Sequence, residues 1–425
     1  MTPRGPGLLA GRGRSWQPHH TVWGLLVFGW IGNYMVRMAF SPLLEPVMAE
    51  FGLSHAQGGF LFSIFFYGYI AMQIPAGLLG DRFGRKRVLV TGILLVAAAA
   101  LLTGLARTLA VVALARLVTG LAQGLYFAND RPIIAATTPR KWLALGQGVS
   151  FSGLGLGNAL GVVAGGALGE VMPWRSVFLV LAGLPLLSAT LIGCFVPEPI
   201  RERSVAAPGE AGVGAAAVFR HRDLWLLGVA GMAPIWTQWL IGTWGPALFA
   251  EVGVRQLGRS ALYASLLGVA ALPGLLTVGT VSDRLFRRGI GRKAVMAAAI
   301  LCMALATLAM GAIVQRQGPA WLVAVIVFVT SFFVWGAWAP AYAMMAEMFP
   351  QRVMGLAYGL LNATCFLAAL LAPYVTGWVK DLTGSFAGGC YLAAVLGLLA
   401  APVAMAVRPA FRLAPAAIRP ASAIR

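Results

Sequence analysis

Arg37 lies inside a segment, Trp23 to Pro42, that is otherwise apolar and long enough to cross a lipid bilayer. A guanidinium within a membrane helix costs roughly 2.5–3.5 kcal/mol on insertion scales. The side chain could extend to the headgroups at the membrane surface, as long basic side chains often do. Because Arg37 is only about five residues past the middle of the segment, we favour a second interpretation, in which it faces a polar cavity between helices and binds an anion there.

A second group of polar residues follows one face of a later apolar segment. Arg116, Gln123 and Asp130 are spaced seven residues apart, which is nearly two helical turns, so their side chains share one helix face. Arg116 is then at about the depth of Arg37, and Asp130 lies roughly 10 Å below Gln123 at 1.5 Å per residue. Uncharged amides in membrane helices usually face protein or a cavity, so Gln238 and Asn362 are candidate contacts for a bound solute. Four tryptophans in apolar segments are weaker candidates, because such residues more often pack against lipid or protein: Trp236, Trp239, Trp335 and Trp338.

The composition indicates a membrane protein with many crossings. Of the 425 residues, 59% are apolar and 11% are charged, against about 25% charged residues in soluble domains. The net charge of +19 does not indicate a nucleic-acid partner, because most basic residues cluster in alternate loops. This distribution follows the positive-inside rule and predicts a multi-pass protein of the cell inner (plasma) membrane with both termini in the cytoplasm.

The remaining composition signals exclude several classes of site. The four cysteines have neither paired nor metal-ligand spacing and are expected to be packing residues. No short apolar run with a cleavage site precedes Trp23, which argues against a removable signal peptide. No nucleophile–base pair, phosphate-binding loop or metal motif is present, so we expect no enzyme activity, no catalytic residues, no metal and no cofactor.

The apolar runs predict an all-α membrane protein with twelve transmembrane helices in two six-helix, pseudo-symmetric bundles. The first-half spans are predicted at about 22–44, 57–79, 88–106, 109–137, 143–168 and 174–196, and the second-half spans at about 223–250, 260–282, 294–315, 319–348, 353–379 and 386–407. The predicted domains are a cytoplasmic tail (1–21), a bundle (22–196), a cytoplasmic linker (197–222), a second bundle (223–407) and a cytoplasmic tail (408–425).

The two halves repeat one another. The stretch Gly77–Arg87 follows the second predicted span, and Gly279–Arg284 with Gly291–Lys293 follows the eighth. Transporters use two such six-span repeats to alternate access to a site near the membrane midplane. The first stretch resembles the signature loop of the major facilitator superfamily. That resemblance implies that Asp81, with Arg82, and Asp283 in the repeat, hold one conformation of a gate rather than touch the substrate.

Other stretches resemble the anion:cation symporter family, which includes sugar-acid transporters of bacteria and vesicular organic-anion carriers of animals. The residues that carry this resemblance are Asn33–Arg37, Ser63–Pro75, Arg116 with Gly120 and Gln123, Met345–Gly359 and Asp381–Ser385. Position by position, it implies that Tyr34, Arg37, Tyr69 and Asn362 contact substrate. We add Gln123 and Gln238 as substrate-binding candidates, and Arg116 and Asp130 as gating or coupling candidates.

The chain departs from that family at two carboxylates. Val36 stands where the family has an aspartate before the arginine, and Gln123 stands where it has a glutamate. Those carboxylates are the groups that proton-coupled members are expected to protonate, so the usual route of proton symport is in doubt. Asp130 then has two candidate roles. It pairs structurally with Arg131 or a loop arginine, or it replaces the missing carboxylates as the coupling site.

We therefore predict a secondary active transporter of a small organic anion, a monocarboxylate or sugar acid, that works by alternating access. A monocarboxylate is favoured over a dianion because the second half has no basic residue near the midplane. Two alternatives are a proton-coupled drug or cation exporter of the same superfamily and a non-transporting membrane sensor. The expected partners are the anion, the lipid bilayer and, as an open question, a co-transported proton or other ion. We expect a monomer.

Overall fold

The computed structural model describes residues 16–73, 75–139, 142–199, 215–349 and 351–408, and these residues form helices joined by short turns, without a strand. Crossings 1 to 6 are Pro18–Phe51, His55–Met72 with Pro75–Phe83, Arg85–Gly104, Leu109–Thr137, Leu143–Val171, and Trp174–Leu181 with Gly183–Phe195. Crossings 7 to 12 are Arg222–Glu251, then Leu257–Ala264 with Leu266–Val269 and Ala271–Arg287, Arg292–Gln315, Ala320–Gly336 with Trp338–Met348, Gln351–Thr383 and Ala387–Ala406. A short helix, Ala215–Arg220, precedes crossing 7.

Among the described residues, ten of these segments are long and apolar enough to span a bilayer alone, and crossing 2 is an eleventh that bends by 53° between its two helices. Crossing 1 is 34 residues long but less apolar, because Asn33 and Arg37 lower its hydropathy. Its place beside crossings 5 and 6 makes it the twelfth. The predicted all-α membrane fold of two six-helix bundles is thus confirmed.

A row of glycines on crossing 5 brings it against crossing 1. Glycines recur at every fourth position from Gly153 to Gly169, and they pack against crossing 1. A Cβ atom at Gly161 would lie 2.7 Å from Met35 Cα, and one at Gly165 would lie 2.7 Å from Ala39 Cα. Small residues permit this approach of helix backbones in membranes. The contact fixes the segment of crossing 1 that carries Arg37.

We call the end of the bundle with Pro18 and Arg408 the termini face, and the other end, with the turn at Gly52, the opposite face. The two bundles pack through crossings 1 and 7, 2 and 11, and 5 and 8. Near the opposite face, Ser41 Oγ donates to the Thr243 carbonyl over 3.0 Å across the bundles. On the termini face, the described ion pairs at Asp81 and Asp283 each stay within one bundle.

Two carboxylates on the opposite face cap helices of the other bundle. Asp381 on crossing 11 accepts from the His55 N–H at 3.0 Å and from the Ala56 N–H at 2.8 Å, at the start of crossing 2. Glu170 on crossing 5 accepts from the Gly258 N–H at 2.8 Å, at the start of crossing 8. Carboxylates are favourable at helix N-termini, where backbone N–H groups lack partners. This reciprocal pair joins the two bundles at the opposite face.

Candidate functional site

Arg37 is fully buried near the middle of crossing 1. Its guanidinium carbon lies 4.0 Å from the ring centroid of Phe65 and 4.2 Å from that of Trp239. Nη1 donates to the Tyr34 hydroxyl over 3.3 Å, whereas Nε and Nη2 have no hydrogen-bond partner among the described residues. No carboxylate of the described chain pairs with Arg37.

Aromatic rings compensate only part of the cost of burying this cation. A cation–π contact contributes about 2 kcal/mol when desolvated, whereas removing an ion from water costs several kcal/mol after relaxation. Two faces of Arg37 are covered by Phe65 and Trp239, and two N–H-bearing nitrogens remain unused. The arrangement is chemically suited to a carboxylate or sulfonate that accepts from both nitrogens.

A small cavity of about 60 Å³ lies between the two bundles. Arg37 does not line it but contacts Tyr34, Tyr69 and Trp239, which do. It is lined by Tyr34, Tyr69, Phe127, Leu154, Ile235, Gln238, Trp239, Leu275, Trp335, Trp338, Tyr342, Asn362 and Phe366. Four of the predicted substrate contacts, Tyr34, Tyr69, Gln238 and Asn362, are therefore together in one place. Their role in binding stays a prediction. The cavity extends from the middle of the bundle toward the termini face, where Tyr342 is 38% exposed.

Gln123 does not line this cavity. Its Nε2 donates to the Asn33 carbonyl on crossing 1 over 2.7 Å, and the side chain is buried. Asn33 is one helical turn from Arg37. In this conformation Gln123 therefore holds the arginine's helix, and it does not face the space where a solute would bind.

Arg116 is a second buried arginine, separated from Arg37 by one ring. Its guanidinium carbon is 5.4 Å from the Phe65 centroid and 4.5 Å from that of Phe40. Its Nη2 donates to the Phe62 carbonyl over 3.0 Å. Two cations that flank Phe65 make this part of the N-terminal bundle strongly positive, which favours an anion near Arg37.

Asp130 is fully buried and has structural partners in this conformation. Its Oδ2 accepts from Trp30 Nε1 over 2.9 Å and from Ser150 Oγ over 3.3 Å. Its Oδ1 is 3.5 Å from Arg131 Nε, and Arg131 in turn donates to the Gln147 side chain over 3.0 Å. This geometry favours pairing with Arg131 over the coupling role.

Replacing Asp130 by asparagine is expected to lower the free energy of unfolding by about 1–3 kcal/mol, because the amide keeps an acceptor for Trp30 but removes the charge opposite Arg131. Thermal melts of the purified protein measure this change, with Ser150→Ala as a control for the weaker hydrogen bond. The ratio of uphill uptake to exchange in proteoliposomes should equal that of the wild type. Loss of uphill uptake with intact exchange would assign the coupling role to Asp130 instead.

The loop residues predicted to act in gating lie on the termini face. Asp81 pairs with Arg85 four residues on, and Arg85 also donates to Asn129 on crossing 4 over 3.3 Å. The Arg82 guanidinium lies 5.2 Å from the Phe83 ring centroid. In the repeat, Arg292 forms ion pairs with Asp283 at 2.6 Å and with Glu347 on crossing 10 at 2.7 Å. Arg85 and Arg292 thus each link a signature loop to a neighbouring crossing of the same bundle.

Sequence reasoning missed several residues of this site. Phe65 stacks on Tyr69 with ring centroids 5.8 Å apart, and its spacing of four from Tyr69 was the signal that could have placed it on the same face. Tyr342 and Phe366, which line the cavity, gave no comparable signal. The sequence likewise does not indicate the capping roles of Glu170 and Asp381, because these roles depend on how the two bundles dock.

The chain is similar to known membrane transporters. Residues 26–291 match the family model described as the Major Facilitator Superfamily. A protein of Cupriavidus necator, described as a probable sulfoacetate transporter, is 26% identical over 86% of this chain and 88% of its own. The hexuronate transporter of Bacillus subtilis is 24% identical over 89% of this chain and 92% of its own. The D-galactonate transporter of Escherichia coli is 26% identical over 85% of this chain and 89% of its own.

Solved structures show the same fold. A bacterial homologue of the human lysosomal transporter Spinster superposes with a TM-score of 0.79 over 92% of this chain and 97% of its own, at 17% identity. The D-xylose–proton symporter superposes with a TM-score of 0.72 over 91% of this chain and 97% of its own, also at 17% identity.

Proposed function

This chain belongs to the major facilitator superfamily, and from that premise we propose that it is a secondary transporter of a small organic anion in which Arg37 binds the carboxylate. Superfamily members are transporters and not enzymes. The three relatives named above are described as carriers of sulfoacetate, hexuronate and galactonate, all small organic anions.

The observation that carries the proposal is the unpaired charge of Arg37. A fully buried guanidinium with two unused nitrogens, in contact with residues that line a cavity between the bundles, lacks only an anionic partner. Buried charges in membrane proteins are costly and usually mark a substrate or ion path. Arg116 behind Phe65 adds to the positive potential, and no described carboxylate pairs with Arg37 to cancel it.

Alternating access is supported by the asymmetry of the contacts between bundles. On the opposite face, Asp381 and Glu170 cap helices across the interface. On the termini face, the ion pairs of Asp81 and Asp283 remain within their bundles. We infer a state that is closed at the opposite face and from which substrate would leave toward the termini face. Rocking of the bundles would exchange the two arrangements.

A cation or drug exporter is disfavoured by the same site, because it holds an arginine where such a carrier needs an anionic partner for its cargo. A non-transporting sensor would keep the fold but lose turnover. Counterflow in proteoliposomes separates carrier from sensor, because only a carrier exchanges a trapped carboxylate for an external labelled one. We expect counterflow by the wild type and none by Arg37→Ala. A wild type that binds carboxylates without counterflow would be a sensor.

The chain is a multi-pass membrane protein, and we propose that it lies in the inner membrane as a monomer with the termini face in the cytoplasm. The positive-inside distribution supports this orientation. A cysteine introduced at exposed Arg408 should react with an impermeant maleimide only in inside-out vesicles, and one at exposed Arg255 only in intact cells. Both variants need the exposed native Cys194 and Cys302 replaced. Reversed labelling would overturn the orientation.

A further inference from the structure

We propose that the substrate of this carrier is an aromatic monocarboxylate, with its carboxylate at Arg37 and its ring among the aromatic side chains of the cavity, which must widen from about 60 Å³ to admit the ring. This inference rests on the proposed function and specifies the substrate class of the same site. It goes beyond the relatives, whose names denote sulfonated or hydroxylated acids.

The first argument is the composition of the cavity wall. Eight of its thirteen lining residues are aromatic and three are aliphatic, which leaves Gln238 and Asn362 as the amides. A sugar acid presents a hydroxyl on nearly every carbon, and each hydroxyl needs a partner once it leaves water. A planar hydrocarbon ring has no such requirement, and it pairs favourably with aromatic side chains in stacked or edge-on arrangements.

The second argument is the position of the hydrogen-bond donors in the wall. Trp335 Nε1 donates to the Leu267 carbonyl over 2.8 Å. The Tyr34 hydroxyl accepts from Arg37 over 3.3 Å. The Trp335 N–H is therefore not available to a solute, whereas the Tyr34 O–H can still donate and Trp239 Nε1 has no hydrogen-bond partner among the described residues. Tyr34 and Trp239 both lie against the Arg37 guanidinium, so their donors suit an anionic group bound there rather than hydroxyls spread along a chain.

The third argument is the continuity between the charge and the rings. Trp239 lies 4.2 Å from the Arg37 guanidinium and also lines the cavity. Tyr69 lies 5.9 Å from the same guanidinium and 5.2 Å from Phe366, which lines the cavity as well. A carboxylate that binds Arg37 therefore has its remaining atoms in contact with rings. On the wall contributed by crossing 10, Trp338 and Tyr342 stack at 5.6 Å with an angle of 28° between their planes.

Binding of phenylacetate, gluconate and acetate to the purified full chain tests the proposal, with thermal shift and inhibition of counterflow as readouts. We expect phenylacetate to bind at least tenfold more tightly than gluconate, and acetate to bind most weakly, with all binding lost in Arg37→Ala. Gluconate binding as tight as phenylacetate, still dependent on Arg37, would overturn the aromatic class and leave the proposed function standing. Absence of Arg37-dependent binding by any of the three would count against both.

A pair of phenylalanine variants tests the ring contact itself. Phe366→Leu removes a ring from the cavity and keeps an apolar side chain, and should weaken phenylacetate binding about tenfold while leaving acetate binding unchanged. Phe195→Leu is the matched control, because Phe195 is 64% exposed at the end of crossing 6. Equal loss of acetate and phenylacetate binding in Phe366→Leu would contradict a specific ring contact.

Discussion

Replacement of Arg37 by methionine is expected to abolish accumulation of the anion and, at the same time, to stabilise the substrate-free protein. The two effects have one cause. In the absence of substrate, the guanidinium is buried with two unpaired nitrogens, so an apolar side chain of similar length removes a cost of desolvation. Replacing buried charges by well-packed apolar residues often stabilises a protein by about 1–4 kcal/mol.

The loss of transport follows from the missing partner of the carboxylate. Removing one member of a buried, hydrogen-bonded charge pair costs about 2–5 kcal/mol of binding, and so uptake at a fixed low concentration should fall by about 30-fold or more. Chemical or thermal denaturation measures the first effect, and uptake into proteoliposomes measures the second. A structural arginine would show the reverse combination, with lower stability and residual transport.

Two control variants separate charge from shape at this position. Arg37→Lys keeps the charge but not the planar fork that matches a carboxylate, and we expect partial uptake. Arg255→Met removes an exposed arginine of the opposite face and should change neither quantity. If Arg37→Met accumulated substrate at the wild-type rate, the assignment of Arg37 as the anion-binding group would be wrong.

The double variant Asp381→Ala with Glu170→Ala is expected to open the opposite face. Each carboxylate caps the start of a helix in the other bundle, and loss of a helix cap costs about 0.5–2 kcal/mol. Because both caps join the two bundles at the opposite face, we expect them to form only when that face is closed, so that their loss acts on that state alone. A combined change of about 2 kcal/mol shifts the ratio of closed to open molecules by roughly 30-fold.

Distances between spin labels across the opposite face measure this shift. Val171, which is 77% exposed at the end of crossing 5, and exposed Arg255, near the start of crossing 8, are suitable positions once the native cysteines are replaced. The longer-distance population should increase in the double variant. Asp381→Asn with Glu170→Gln is the matched control, because an amide oxygen still accepts from the helix N–H groups, and it should shift the distribution less. An unchanged distribution in the alanine variant would show that the caps do not hold the gate.

The crossings and the position of the charge were determined by the sequence alone. A helix in a bilayer must satisfy its own backbone and present apolar side chains for about 20 residues, so the apolar runs located all twelve crossings. The same rule identified Arg37 as unusual, because a cation within an apolar membrane helix is costly and usually marks a functional site. The resemblance to known carriers then indicated Tyr34, Tyr69 and Asn362 as substrate contacts, and these three residues line one cavity together with Gln238.

The partners of the polar side chains were decided by the tertiary structure. Helical spacing put Arg116, Gln123 and Asp130 on one face, but it did not show that each of them meets a different neighbour. Gln123 bonds to a carbonyl of crossing 1, and Asp130 accepts from Trp30, 100 residues away. The caps join residues 326 and 88 positions apart. Periodicity specifies which face a side chain occupies, whereas its partner depends on how separate helices dock, and that information is distributed over the whole packed bundle.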